Sequence, residues 1–142
     1  MFRIIFLGAA LLVVEVKANL QILPEPTTCN IYERNLVWVL EDCICRPIQN
    51  PCLMEQENSL RLSSRKTPLV PVSEELCKHF IPKKCLIGLP VIAQFPKPPK
   101  CGCKGKPGTI TEKKFKNVCE MKKYSAKYKE AYTSYKFTLG TR

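Results

Sequence analysis

The apolar positions of this chain form one long run at the N-terminus and several short runs separated by polar and proline-rich segments. Arg3 precedes the apolar residues 4–14, and Val16-Lys17-Ala18 follows them. This order of a basic residue, an apolar stretch and small residues is typical of a secretory signal peptide. A membrane anchor is the alternative, but eleven apolar residues in a helix span only about 16 Å of a hydrocarbon core roughly 30 Å thick. We therefore expect residues 1–18 to be removed and the mature product to be secreted and extracellular.

Three shorter patterns predict secondary structure in the first half of the mature chain. Residues 36–40 are apolar with a β-branched and aromatic bias, which favours a strand, although periodicity alone also permits a buried helical turn. Residues 52–60 follow Pro51 and place apolar residues at helical spacings, which predicts a short helix. Ser73 is a capping residue for a second helix of one or two turns, which has to end before Pro82.

The strongest helical pattern covers residues 118–136. Asn117 is placed to cap this helix, and Glu120 follows three residues later as in a capping box. An apolar and aromatic stripe recurs at three- and four-residue spacings within about 100° of the helix circumference, and we expect it to pack on strands of its own module. Its members are Met121, Tyr124, Tyr128, Ala131, Tyr132 and Tyr135. Lysines occupy another side of the helix, namely Lys122, Lys129 and Lys136, and the alternative is a helix that lies on a membrane surface or binds a partner.

Nine cysteines, at positions 29, 43, 45, 52, 77, 85, 101, 103 and 119, all lie after the predicted signal peptide. Secretion exposes them to an oxidising compartment, so disulfide bonds are expected. An odd number leaves one cysteine over, either as a free thiol or as half of a disulfide-linked dimer.

The net charge of +11 is unevenly distributed. Residues 19–96 are balanced, with eight basic and eight acidic residues, whereas residues 97–142 hold thirteen basic residues against three acidic ones. The change falls at the proline-rich segment 88–99, which we interpret as an extended linker between an N-terminal module, residues 27–87, and a basic module, residues 100–142. The basic excess either forms a solvated lysine face or attracts an anionic surface, without specific recognition of nucleic acid.

Two Cys-x-Cys pairs, Cys43-Ile44-Cys45 and Cys101-Gly102-Cys103, open the two modules, and each pair is followed by a cysteine in a predicted helix. The stretch from Phe115 to Met121 resembles the aromatic-x-Asn-x-Cys-Glu-Leu motif of Kazal-type domains, particularly the diverged ones of small insect glandular and seminal-fluid proteins. The resemblance covers most of residues 43–136. It implies a small disulfide-rich α+β fold with two diverged Kazal-like modules, each a short helix on a small antiparallel sheet.

The same resemblance implies a disulfide pattern. The bonds it implies are Cys45–Cys77, Cys52–Cys85 and Cys103–Cys119. Cys29, Cys43 and Cys101 would then supply one more bridge and the odd thiol.

Kazal inhibitors insert into the protease the residue two positions after their second cysteine. The matching positions here are Pro47 and Gly105, and neither residue is suited to fill a specificity pocket. Basic neighbours offer alternatives if the register differs by one, namely Arg46, Lys104 and Lys106. The resemblance thus implies a secreted binding protein with an extracellular partner, and serine protease inhibition as an inherited activity that these substitutions disfavour. The alternative is a cationic effector whose C-terminal helix binds membranes or glycosaminoglycans.

Catalytic and metal-binding motifs are missing from the sequence. His79 is the only histidine, and no Gly-x-Ser-x-Gly, Cys-x-x-Cys or glycine-rich phosphate-binding pattern occurs. We therefore expect a protein that is not an enzyme and that holds no metal or cofactor.

Overall fold

The computed structural model describes residues 28–101 and 106–138, so the predicted signal peptide lies outside the described residues. The described chain is a small, disulfide-bonded α+β structure with two antiparallel three-stranded sheets, each with a helix nearby. In chain order the elements are β1 (Val37–Glu41), β2 (Ile44–Ile48), α1 (Pro51–Ser63), β3 (Val70–Pro71), α2 (Glu74–Lys78), β4 (Val91–Lys97), β5 (Thr109–Phe115), α3 (Val118–Tyr128) and β6 (Ser134–Phe137).

The first sheet has the strand order β2-β1-β3. Glu41 pairs with Ile44, so the hairpin between β1 and β2 turns on only two residues, Asp42 and Cys43, which have φ values of 50° and 64°. Two successive positive φ values are typical of a type I′ turn, whose twist matches that of the flanking strands. The predicted strand at 36–40 is confirmed with a shift of one residue.

The two predicted helices of the first half are also confirmed. α1 begins at Pro51, and its N-cap Asn50 accepts a hydrogen bond from the Leu53 amide. α2 begins after Ser73, which accepts from the Leu76 amide as expected of a capping serine.

The second sheet has the order β5-β4-β6, with β4 at its centre. Residues 91–97, which we interpreted as part of an extended linker, are therefore paired in a sheet and do not form a polyproline connection. Pro96 is compatible with this position because β4 pairs with β6 only as far as Gln94. The Gln94 carbonyl accepts from the Thr133 amide, so the backbone of Pro96, two residues further on, also faces the β6 side and not its partner Ile110 on β5. Its missing N–H therefore lies beyond the end of β6 and removes no bond to β5.

The third helix starts where the sequence predicts but ends eight residues earlier. Asn117 caps it by accepting from the Glu120 amide at 2.8 Å. Lys129 adopts a left-handed conformation, with φ 55° and ψ 36°, which stops the helix at Tyr128. The prediction of a helix to residue 136 is wrong because Ser134–Phe137 pairs with β4 as strand β6.

Helix α3 contributes to the cores of both sheets. Met121 packs with Val91, Ala93, Phe95 and Tyr132 against the second sheet. One and a half turns later, Ala126 packs with Trp38, Cys45 and Cys77 against the first sheet. The predicted packing of the stripe is confirmed for Met121 and Tyr124, and Ala131 and Tyr132 are buried as well but lie after the helix. It is wrong for Tyr128 and Tyr135, which are 55% and 42% exposed.

Three disulfide bonds are formed between described cysteines: Cys29–Cys52, Cys45–Cys77 and Cys85–Cys119. The implied Cys45–Cys77 bond is confirmed, but Cys52–Cys85 and Cys103–Cys119 are wrong. Cys52 lies at the start of α1 beside the incoming N-terminal segment, with its Cα 5.7 Å from that of Cys29. Cys85 lies equally close to Cys119 at the start of α3. Cys101 is bonded as well, and Cys43 is a free, exposed thiol.

Candidate functional site

A groove of about 590 Å³ lies between the β1–β2 turn, the segment after α2 and the start of α3. Its lining includes Cys43 and Ile44 of the turn and of β2, Leu86 of the segment after α2, and Val118 of α3. Of the described residues that line the groove, Lys84 carries a charge and most of the others are apolar. Such a surface suits contact with an apolar ligand or partner.

Residues 86–89, which we call the apolar loop, form one wall of this groove. The side chains of Leu86, Ile87 and Leu89 are 89%, 105% and 61% exposed. Keeping such side chains in water forgoes roughly 1.5–3 kcal/mol of burial free energy each. Three neighbouring aliphatic residues with this exposure therefore form a surface that would gain free energy if a partner covered it.

The backbone of the apolar loop is held at both ends. Cys85 is bonded to Cys119, and the Asn117 side-chain amide donates to the Leu86 carbonyl at 2.8 Å. At the other end, the Thr138 amide donates to the Pro90 carbonyl at 2.9 Å. Because both ends are attached to the second sheet and its helix, the exposed side chains are presented by a fixed loop.

Cys43 lines the same groove as the apolar loop. Its position at φ 64° in the two-residue turn places it at the tip of the hairpin, where it is exposed. The groove thus combines an apolar wall with an oxidisable group.

Three lysines lie at or near the groove. Lys84 lines it, and Lys83 lies beside Lys123, whose ammonium donates to the Lys83 carbonyl at 3.1 Å. The nearby acidic residues are Asp42, whose carboxylate is 3.4 Å from Arg61, and Glu120 in the first turn of α3. Positive charge therefore predominates around the apolar surface.

The residues predicted from the Kazal resemblance to form inhibitory loops are not presented to solvent in the first module. Arg46 and Pro47 lie in β2 and are buried. Lys104 and Gly105 lie outside the described residues, and Lys106 is exposed shortly before β5. A loop that enters a protease pocket has to project from its domain, and the backbone at 46–47 is paired in a sheet instead.

Arg46 belongs to a buried network of charges. Its guanidinium donates two hydrogen bonds to Glu57, at 2.8 and 3.0 Å, and one to Glu41 at 3.1 Å. Burial alone would lower the pKa of Arg46, but Tyr132 and Glu57 outweigh it and raise the pKa above its ordinary value. Such a network fixes the packing of β2 and leaves Arg46 unavailable to a protease.

The three lysines predicted to share a face of the C-terminal helix do not do so. Lys122 is only 9% exposed, and its ammonium is 2.9 Å from Glu41 of the first sheet. Lys129 lies after the helix and pairs with Glu74 at 2.6 Å, whereas Lys136 is exposed on β6. Two of the three are thus neutralised by partners from the first half of the chain.

Glu41 is the carboxylate at the centre of the buried charge network. Its carboxylate contacts Arg46, Arg61 and Lys122. Burial would raise its pKa, but Arg46 and Lys122 outweigh that effect and hold the pKa below its ordinary value. Sequence reasoning missed this cluster because its members are spread over four elements.

Within residues 28–101 and 106–138, no group of three or more histidine, cysteine, aspartate or glutamate side chains could hold a metal ion. None of the described helices has the length and apolar character needed to cross a bilayer. No protein-family model matches the chain, and comparison with curated proteins and with solved structures gives no significant match.

Proposed function

We propose that the mature chain is a secreted, non-enzymatic binding protein that recognises an extracellular partner through the apolar loop and the groove beside it. The observation that carries the proposal is the exposure of Leu86, Ile87 and Leu89 on a backbone fixed by the Cys85–Cys119 bond. A fixed apolar surface binds at a lower entropic cost than a mobile one. The disulfide bonds support a site of action outside the cell, since such bonds persist in oxidising compartments.

Protease inhibition, which the Kazal resemblance implies, is not part of this proposal. The buried positions of Arg46 and Pro47 argue against insertion of these residues into a protease. One of the three bonds implied by the Kazal pattern is present, and two are replaced by other pairings. A cationic effector acting through the helix lysines is disfavoured too, because Lys122 and Lys129 are paired with Glu41 and Glu74.

The proposal is tested by expressing the full chain in secreting eukaryotic cells and collecting the product from the medium. Mass spectrometry should find an N-terminus near Asn19. The labelled product should then bind saturably to intact cells, and unlabelled protein should displace it.

A Leu86→Ser/Ile87→Ser variant should lose most of this cell binding. The matched control is Leu60→Ser/Leu62→Ser, which changes two aliphatic residues that are 64% and 61% exposed on α1, away from the groove. Retention of the chain inside the cells, or equal binding by the two variants, would contradict the proposal.

A further inference from the structure

We infer that the partner of the apolar loop is an anionic phospholipid surface, into which Leu86, Ile87 and Leu89 insert while neighbouring lysines contact the headgroups. The inference rests on the proposed function, since it names the partner of the same loop. It centres membrane contact on the loop and not on the predicted lysine face, where Lys122 and Lys129 are paired with Glu41 and Glu74.

The shape of the loop favours a lipid partner. Ile87 is 105% exposed and Leu86 is 89% exposed, so both side chains project from the surface with almost no contact to their own protein. A fluid acyl layer can surround such side chains on every side, whereas a protein partner would have to provide a deep pocket. Interfacial segments insert their apolar side chains about 5–10 Å into the boundary between headgroups and acyl chains, which is within reach of side chains of this length.

The charges around the loop favour an anionic rather than a neutral surface. Lys83 and Lys84 immediately precede Cys85, and the Cys85–Cys119 bond attaches them to the start of α3. Lys123 adds a third positive charge there, since its ammonium donates to the Lys83 carbonyl at 3.1 Å. Each lysine held near an anionic bilayer strengthens partitioning by about fivefold.

Two acidic residues near the groove oppose this attraction only in part. Asp42 is 3.4 Å from Arg61, which neutralises it locally. Glu120 lies in the first turn of α3, where the positive end of the helix dipole offsets its charge.

The test is cosedimentation of the mature protein with vesicles of phosphatidylcholine alone and of phosphatidylcholine with phosphatidylserine. Every variant carries Cys43→Ser so that no covalent dimer forms. We expect binding to the anionic vesicles, weakening with salt but retaining a part that salt does not remove. Leu86→Ser/Ile87→Ser should reduce the partition coefficient at least about tenfold, because two apolar side chains no longer insert.

Charge is tested separately. Lys83→Gln/Lys84→Gln should reduce partitioning into anionic vesicles by about tenfold or more. The controls are Leu60→Ser/Leu62→Ser for apolar exposure and Lys66→Gln/Lys100→Gln for the same loss of charge, and each should change binding less than about threefold.

Several results would overturn the inference. The first is that the loop variants and their controls change vesicle binding equally. The others are that the protein is retained on heparin but does not bind vesicles, or that it binds no vesicles at all. If the protein does not bind vesicles but its binding to cells still depends on Leu86 and Ile87, the partner is a protein and the proposed function stands. If cell binding is also insensitive to the loop, both proposals fail.

Discussion

The guanidinium of Arg46 lies over the ring of Tyr132, with 4.3 Å between the guanidinium carbon and the ring centroid. Arg46 belongs to the first sheet, and Tyr132 packs in the core of the second. Together with the ion pair between Lys122 and Glu41, this contact joins the two sheets through buried charges. We therefore expect the packing of the two sheets to be sensitive to single substitutions at these charges.

Arg46→Ala should destabilise the protein by about 3–5 kcal/mol, because it leaves the buried carboxylate of Glu41 and that of Glu57 without a shared partner. Arg46→Lys should reduce the stability less than Arg46→Ala but should not match wild type, since an ammonium cannot form the bidentate pair with Glu57. Urea unfolding followed by tryptophan fluorescence measures both values. Lys66→Ala, an exposed basic residue, is the control, and a change for Arg46→Ala as small as that of the control would refute a structural role for the network.

Lowering the pH should destabilise the wild-type protein because the Glu41 carboxylate becomes protonated. The pKa of Glu41 is lowered from 4.5 in the folded state, so the carboxylate contributes stability above the unfolded-state pKa. That contribution is lost as the pH falls through the folded-state pKa, below about pH 5. Glu41→Gln should be less stable than wild type at neutral pH, and its stability should fall less on acidification. Parallel pH profiles for wild type and Glu41→Gln, with exposed Glu55→Gln as reference, would contradict this assignment.

Cys43→Gly should stabilise the protein by about 0.5–1 kcal/mol, because glycine adopts the positive φ of this turn position without strain. Cys43→Val should have the opposite effect, since a β-branched residue resists that conformation. Thermal unfolding under identical conditions compares the two. The same Cys43→Gly variant should no longer react with a maleimide in the folded state. A stabilising Cys43→Val would contradict the positive φ at this position. Unchanged labelling of Cys43→Gly would instead contradict the assignment of Cys43 as the free thiol.

Asn117 connects the helix cap to the apolar loop. Asn117→Ala should cost about 1–2 kcal/mol, because it removes both the acceptor for the Glu120 amide and the donor to the Leu86 carbonyl. Asn117→Asp keeps the acceptor and loses the donor, so it should retain most of the stability while the Leu86 and Ile87 amides exchange hydrogen faster. Hydrogen-exchange mass spectrometry with urea unfolding separates the two roles. If exchange in the loop is the same in wild type and both variants, the Asn117 side chain does not hold the loop.

Local features of the fold could be predicted from the sequence. Asn117 and Ser73 cap helices, and Pro51 opens one, because each of these roles depends on residues only a few positions away. Nonlocal features could not be predicted. Lys122 looks like a surface lysine until Glu41 is placed beside it. The stripe that predicts a helix to residue 136 continues after α3 through the buried Ala131 and Tyr132 and ends in strand β6, whose residues are exposed.

The disulfide pairing and the exposure of the apolar loop could not be predicted either, because both depend on nonlocal contacts. Spacing does not fix connectivity among nine cysteines, and the approach of Cys85 to Cys119 depends on how the segment after α2 meets the start of α3. Leu86 and Ile87 belong to a short apolar run that reads equally well as core. Only the folded structure, in which this run lies outside all three hydrophobic clusters of the described residues, reveals its exposure.

The central place of β4 determines which piece of the chain can be cut out or exchanged. A fragment beginning at residue 100 would contain β5 and β6 but not the strand that pairs with both. It would also lack Cys85, leaving the Cys119 thiol free to form unintended cross-links. Peptides or chimaeras made from the basic end of this protein should therefore begin before Cys85, since shorter ones would lose the sheet on which α3 rests.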